Sequence, residues 1–598
     1  MQKNLRYNRI LLFVFFLFLV ATLAFFTSCS NADKVNVPSD KVRITIADGR
    51  EYSAEKNIFE VERGSNLEIE LEFLEGFVFD SCDYKDYTVY YKDRLSVVLI
   101  LSNVRYPSFV NITTRTSAEG VYYHANGGEF TNVPEDYFLE WANAAEGRRQ
   151  NTDTGENAAR EGYTLTGWNT RSDGSGESVC LGGRITVPQG TIVDLYAQWS
   201  KWTSSEQFDY EEYQDGIKLT AYTGGYTETL TLPGEIDGKT VIAVDEGFAR
   251  NTDINILIMP DTLKRIEKNA FVNCDIQTLY FFDTIEYVVN ESFSGASIKT
   301  LHINARLAPR YLATSEVTEF ADRMDRLILN RDKKKIIFFA GCSMSYGLNS
   351  QMVDEAFDGE YEIIDFGTMG ETYAVAQLDC ISRFLSEGDI FVHAPEPSAP
   401  YQLMYSYTME PNVFLLCEGN FELISYMDMS DVSGVFTAFN IFNSIRMKLD
   451  GGSYLDDSGL HNLYGDINIA RGTFGKDVSY DNYEYTYMLD YVTSSSISRL
   501  CDEYDNIAAM GATVMFSFAP VNYHGLTASA IEQKIWETFE REYRTGLSAR
   551  GYSVISSAED YIFEGRYFYD TDYHLNDTGV VLRTEQLIED LKNAGVAA

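Results

Sequence analysis

Ser343 and His574 are the two residues of this chain whose surroundings suit covalent chemistry. Ser343 follows the apolar run Lys335-Ile-Ile-Phe-Phe-Ala340, inside the phrase Gly341-Cys-Ser-Met-Ser-Tyr-Gly347. A serine on a tight strand-to-helix turn presents its hydroxyl at the end of a sheet, but that hydroxyl attacks an acyl carbon only when a neighbouring base removes its proton. The candidate base lies far downstream, in Tyr569-Asp-Thr-Asp-Tyr-His-Leu-Asn-Asp-Thr-Gly579. There His574 is flanked by Asp570 and Asp572 and precedes the helix-like run Leu582 to Asn593. A carboxylate beside an imidazole fixes its tautomer and supports the imidazolium formed during acyl transfer. His393, His461 and His524 lack that setting and read as pocket-lining or surface residues, and Cys342 has no motif that would make it the attacking group.

With its serine early and its Asp/His pair late, the segment 325–598 resembles the SGNH (GDSL-like) hydrolases. The resemblance implies an α/β three-layer, flavodoxin-like domain acting on ester bonds, with Ser343 as nucleophile, His574 as base and no metal or organic cofactor. In the family the Asp precedes the His by three positions; position 571 here is Thr, which makes Asp570 the preferred orienter and Asp572 the alternative, at a spacing similar to that of the alginate-type O-acetyltransferases. The family holds its oxyanion with the nucleophile's own N–H, a glycine N–H and an asparagine side chain. The glycine corresponds to Gly370, with Gly367 beside it. The asparagine block is missing: Asp389-Ile-Phe-Val-His393 runs into Ala-Pro-Glu-Pro-Ser398, and Glu396 or Gln402 falls in that part of the site. Losing one oxyanion donor costs on the order of a hundredfold or more in rate.

The elements that must position these groups alternate in type. Apolar runs at Ile336–Ala340, Glu362–Phe366, Asp389–His393, Ala512–Phe518 and Tyr552–Ile555 are separated by amphipathic stretches such as Thr372–Glu387, Ser496–Met510 and Ala528–Gly546. Such alternation predicts a parallel sheet with helices on both faces, whose ligands bind beyond the carboxyl ends of the strands. A Tyr-, Asp- and Asn-rich stretch, about 401–491, exceeds the connection a sheet needs and reads as an insertion over the site. The basic run Arg331-Asp-Lys-Lys-Lys335 reads as a solvated loop before a buried strand.

Ahead of that domain the chain is modular. Ile254, Ile276 and Ile298 recur every 22 residues, as do Leu257, Leu279 and Leu301, and Phe248, Phe271 and Phe293 keep nearly the same period. Leu and Ile at fixed offsets of this length predict a solenoid of stacked repeats over 208–306, short enough to need caps. Its phrases, such as Ile258-Met-Pro-Asp-Thr-Leu-Lys-Arg-Ile-Glu-Lys-Asn-Ala-Phe271, resemble the BspA-type leucine-rich repeats of bacterial surfaces. Residues 118–200 carry Val121-Tyr-Tyr-His-Ala-Asn-Gly-Gly128, Gly162-Tyr-Thr-Leu-Thr-Gly-Trp-Asn-Thr170 and Asp194-Leu-Tyr-Ala-Gln-Trp-Ser200. These resemble the Listeria–Bacteroides (internalin B-type) repeat, a β-grasp-like module, with Trp168 and Trp199 as core anchors, a structural His124 and a polar insert from about Glu135 to Arg160 that must loop out. Residues 42–115 alternate apolar and polar between turns and predict a small all-β module.

The amino terminus addresses the chain. Lys3, Arg6 and Arg9 precede the apolar run Ile10–Phe26, and Thr27-Ser28-Cys29 follows. This is the pattern of a secretory signal over 1–28, and the cysteine after small residues resembles a bacterial lipoprotein signal with Cys29 acylated and 29–41 as the tether. The formal charge of −41 from 48 basic and 89 acidic residues argues against nucleic-acid partners, which need clustered cations. The other seven cysteines are scattered singly, so no zinc or disulfide framework is legible. The expectation is a lipid-anchored, outward-facing surface protein, touching the membrane through the anchor only. It would remove or transfer an O-acyl group on an envelope or host glycan or a small ester, and its repeat modules would meet host or cell-surface proteins. The alternative is a non-catalytic adhesin.

Overall fold

In Lys41–Ile46 every second residue, Val42, Ile44 and Ile46, is buried, the period of a strand with one face on a core. The computed structural model of the chain describes residues 41–74, 77–91, 96–115, 120–131, 136–140, 149–155, 157–188, 192–307, 315–368, 373–397, 411–446, 461–472, 489 and 492–597. The signal, the tether, Cys29, Gly370, Gln402 and much of the 401–491 stretch lie outside the described residues. The chain divides into two units, Met1–Ser117 and Ala118–Ala598. In the first, Lys41–Ile46 pairs antiparallel with Ile58–Glu62 and parallel with Ser108–Val110. Leu67–Phe73 lies between Tyr52–Ala54 and Ser96–Leu101, and Tyr87–Tyr91 pairs on the far side of the latter, all antiparallel.

The second unit begins with Tyr163–Asn169, Ile192–Lys201 and Gly120–His124 side by side. Trp168 is fully buried and Trp199 partly so. His124 stacks on Tyr196 at 4.3 Å and bonds Asp194 at 2.9 Å, a structural role. The expected loop-out of the polar insert is corrected by its described residues. Asp136–Glu140 pairs with Gly120–His124, Gln150–Asn151 with Arg184–Ile185, and Ala158–Ala159 with Glu129–Phe130. The physical reason is that buried Trp and Tyr need partners for their polar tips. The Asp153 carbonyl accepts Trp168 Nε1–H at 2.8 Å, and its N–H donates to Tyr123 Oη at 2.9 Å.

The 22-residue period becomes parallel register. Ile254 lies opposite Ile276 and Ile276 opposite Ile298, with Leu257, Leu279 and Leu301 likewise aligned and all six buried. Behind them Phe248, Phe271 and Phe293 form a ladder with centroids 5.7 and 5.1 Å apart. A solenoid leaves its last turn open. Here the turn is closed from within the 401–491 stretch, by the helix Val432–Arg446. Phe436 stacks on Phe293 at 4.6 Å and Phe439 meets Phe281 edge-on at 5.0 Å. Asn440 pairs with both the N–H and the C=O of Val288, and Arg446 makes ion pairs with Asp283 at 2.9 Å and Glu418 at 3.0 Å, all buried. This described part of the insertion therefore covers the solenoid rather than the strand ends.

The last domain is built on a five-stranded, wholly parallel sheet, labelled in chain order β1 (Lys335–Ala340), β2 (Glu362–Gly367), β3 (Ile390–His393), β4 (Thr513–Phe516) and β5 (Ser553–Val554). The spatial order is β2-β1-β3-β4-β5. All six residues of β1 are buried, because both faces are covered. Ile337 and Phe339 share a core with Phe320, Leu378, Leu500 and Phe539, whereas Ile336 and Phe338 share another with Val353, Leu587 and Leu591. Three layers result. The stretch Ala528–Gly546 is two helices, since Lys534 adopts a left-handed φ of 47° between them. The basic run is only partly solvated, because the Lys335 ammonium is buried 3.0 Å from Asp389.

Candidate active site

The sheet order reverses between β1 and β3, which is where a doubly wound sheet opens a crevice for ligands. Ser343 follows β1 and Glu396 follows β3, so the two residues flank that point. Gly341 N-caps the single helical turn Cys342–Ser345 with φ −73° and ψ −167°, a conformation open to any residue. Its glycine is required for space: a Cβ there would overlap the carboxylate of Glu396. Glu396 is 3 % exposed, and its Oε1 accepts the N–H of Ser343 at 3.1 Å. The amide expected to hold an oxyanion is thus engaged by a carboxylate in this state. Ser343 itself is fully buried, and its Oγ has no hydrogen-bond partner among the described residues.

The histidine block folds around local hydrogen bonds. Thr571, three residues before His574, takes the N–H of His574 on its hydroxyl at 3.0 Å and that of Tyr573 at 3.2 Å. That turn brings Asp570 round, and its Oδ1 lies 2.8 Å from His574 Nδ1. Asn576 caps the final helix, Asp577–Asn593, by accepting Gly579 N–H at 3.0 Å. Gly579 has no room for a Cβ against the Tyr567 carbonyl. Burial lowers the affinity of His574 for a proton, with Arg471 adding to this and Asp570 opposing it. The imidazole is therefore neutral at neutral pH, with Nδ1–H donated to Asp570 and Nε2 left as the basic atom. Asp572 is buried instead; desolvation raises its carboxyl to about 6, and its Oδ1 has no partner among the described residues.

Three residues that sequence reasoning missed tie the two blocks together. Tyr346, at the end of the serine turn, stacks on His574 with centroids 3.7 Å apart and planes 7° from parallel. Arg471 donates Nη1–H to the Tyr346 carbonyl at 2.6 Å and contacts Asp577 at 3.4 Å. Arg583, fully buried on the last helix, donates Nη1–H to the Ser343 carbonyl at 2.7 Å. Burial pulls its guanidinium down to about 10, with Tyr561, Asp365 and Glu396 opposing, so it stays a cation at neutral pH. A signal for Arg583 was present: it lies on the helix stripe of Val580, Thr584, Leu587 and Leu591, where a charge needs a reason to be buried.

Gly367, Gly370's alternative, spends its N–H on Asp365 Oδ1 at 2.7 Å, and a Cβ at its position would overlap Ser345 N. Asp365 is buried and desolvation raises its carboxyl well above the usual range, with Asp466 adding to this and Arg323 opposing. His393 is a core residue bonded to Tyr504 Oη at 2.7 Å, and burial drives it down to about 3. His461 sits in a backbone bridge with Ile467, and His524 is exposed on a short turn. Cys342 is partly buried, and none of the seven described cysteines forms a disulfide.

A family model for the BspA type leucine rich repeat region matches residues 241–311, in six copies. Repeats of this kind are typical of surface-exposed bacterial proteins. No curated protein matches the chain.

Proposed function

We propose that residues 325–598 form an SGNH-like serine hydrolase domain that removes or transfers an O-acyl group, acetyl foremost, on an envelope or host glycan. The domain would be held at the cell surface by a lipid on Cys29 and spaced from the membrane by the β modules and the repeats. The observation that carries the reading is the His574–Asp570 bond of 2.8 Å at the head of the last helix, joined to the Ser343 turn by the Tyr346 stack. Ser343 Oγ would attack the acyl carbon while His574 Nε2 takes its proton. Asp570 would steady the imidazolium, and the Ser343 and Gly370 amides would hold the oxyanion. Collapse of the intermediate breaks the bond to the sugar oxygen, which receives the proton from His574. Water or a second hydroxyl then takes the acyl group from Ser343. The purified chain is expected to release acetate from acetylated glycans or small acyl esters, and Ser343→Ala to abolish that release with an unchanged melting temperature. Equal activity in Ser343→Ala would refute the assigned nucleophile.

A second reading, a surface protein whose SGNH-like domain binds without catalysing, draws on one observation: Ser343 is sealed from solvent and its amide is taken by Glu396. Absence of turnover in every acyl ester tested, together with glycan or protein binding that survives Ser343→Ala, is the outcome that favours it.

A further inference from the structure

We infer that Glu396 is a displaceable occupant of the oxyanion position, and that it decides when the Ser343 site can react; the inference rests on the acyl-transfer reading above. The seat is built rather than incidental. Gly341 leaves the volume that the Glu396 carboxylate fills, although its own backbone would admit any side chain. The chain leading to the seat is held: Ala394 N–H donates to the Phe339 carbonyl at 3.0 Å, and Pro395 restricts the backbone just before Glu396.

The tetrahedral intermediate of acyl transfer develops negative charge at the point where Glu396 Oε1 now accepts the Ser343 N–H at 3.1 Å. One N–H cannot serve both, and two like charges at one donor repel. Reaction therefore requires the carboxylate to leave. The structure supplies a destination. Arg583 is fully buried, one arm is fixed on the Ser343 carbonyl at 2.7 Å, and its Nε and Nη2 carry no hydrogen bond among the described residues. Glu396 already acts on that guanidinium electrostatically. Moving from the Ser343 amide to the free edge of Arg583 exchanges one charge-assisted hydrogen bond for another and uncovers the amide.

The test is covalent labelling of the whole protein with an alkyl fluorophosphonate, followed by intact mass. Ser343 Oγ adds to phosphorus, its proton passes to His574, fluoride leaves, and the phosphoryl oxygen needs the same amide. Glu396→Gln keeps the shape and removes the charge; Glu396→Ala empties the seat. Both are expected to label at Ser343 at least tenfold faster than wild type, and if the alanine variant fails to fold, the glutamine variant decides. Folded variants that label no faster than a wild type that does label would overturn the role of Glu396 while leaving Ser343 as the nucleophile. No adduct on Ser343 in any of the three proteins would overturn the acyl-transfer reading, and the inference with it.

Discussion

The imidazole of His574 lies flat on the ring of Tyr346, 3.7 Å between centroids, and is held at its edge by Asp570. One contact fixes the plane of the ring and the other its rotation, so Nε2 has a set direction before any substrate arrives. Tyr346 comes from the serine turn, so the stack joins the two halves of the site.

Loss of that platform is expected to act through orientation. Tyr346→Ala should lower kcat for ester hydrolysis by ~10–100-fold, and Tyr346→Phe, which keeps the ring, should stay near wild type. Equal damage from both would show that the hydroxyl, not the stack, matters.

The two aspartates should separate cleanly. Asp570→Asn is expected to lower kcat by ~10³–10⁴-fold, as loss of the tautomer-fixing carboxylate does elsewhere, whereas Asp572→Asn should leave kcat almost unchanged. Asp572 has a different signature. Its carboxyl is raised to about 6 from 3.8, so its contribution to stability is present below the lower value and is lost as pH rises through the higher. Asp572→Asn should therefore melt higher than wild type at pH 8 and level with it at pH 3.5.

Acid should weaken the core through His393. Its folded value of about 3 against an ordinary 6.5 means that the unfolded chain binds the proton first. Stability is whole above the upper value and falls as pH drops toward the lower, by about 1.4 kcal/mol per pH unit for this group. In His393→Asn, urea midpoints should fall less steeply over that window; identical slopes would assign the acid sensitivity to other groups.

The cap on the solenoid can be removed by charge. Arg446→Met leaves Asp283 and Glu418 buried without their shared cation and should cost about 3–5 kcal/mol in urea unfolding. Asn440→Ala strands the N–H and C=O of Val288 and should cost about 1–3 kcal/mol. Values under about 0.5 kcal/mol, the scale of ordinary surface changes, would mean that the repeats are closed by something else.

Anchoring is checked by metabolic labelling with a fatty-acid analogue. Wild type should carry the label and Cys29→Ala should not; labelling of both alike would end the lipoprotein reading.

Periodicity carried most of the architecture. The 22-residue offset of Ile254, Ile276 and Ile298 translates directly into strand register, because each repeat buries its edge only against an identical neighbour. The apolar runs of the last domain became strands for the same local reason, since a strand covered on both faces reads as continuous apolar sequence. The insert before Arg160 misled because two of its strands are only two residues long and its Asp153 backbone is held by aromatic partners outside it. The Val432–Arg446 helix was hidden for a related reason, since Phe436 and Asn440 serve a solenoid far earlier in the chain, Asn440 reaching Val288 across 152 residues.

Residue types and local spacing determined by themselves that Ser343 follows a buried strand, that His574 sits in an aspartate-flanked turn before a helix, and that Leu and Ile repeat as a solenoid. These are properties of neighbouring residues, whose propensities and hydrogen bonds act over a few positions. Only the tertiary structure decided that Thr571 takes the backbone and delivers Asp570 to His574, that Arg583 spends its charge under the serine turn, and that Glu396 occupies the Ser343 amide. The last two depend on strand order and burial: β1 and β3 become neighbours only in the folded sheet, and a carboxylate and a guanidinium are forced to choose partners only once water has been excluded.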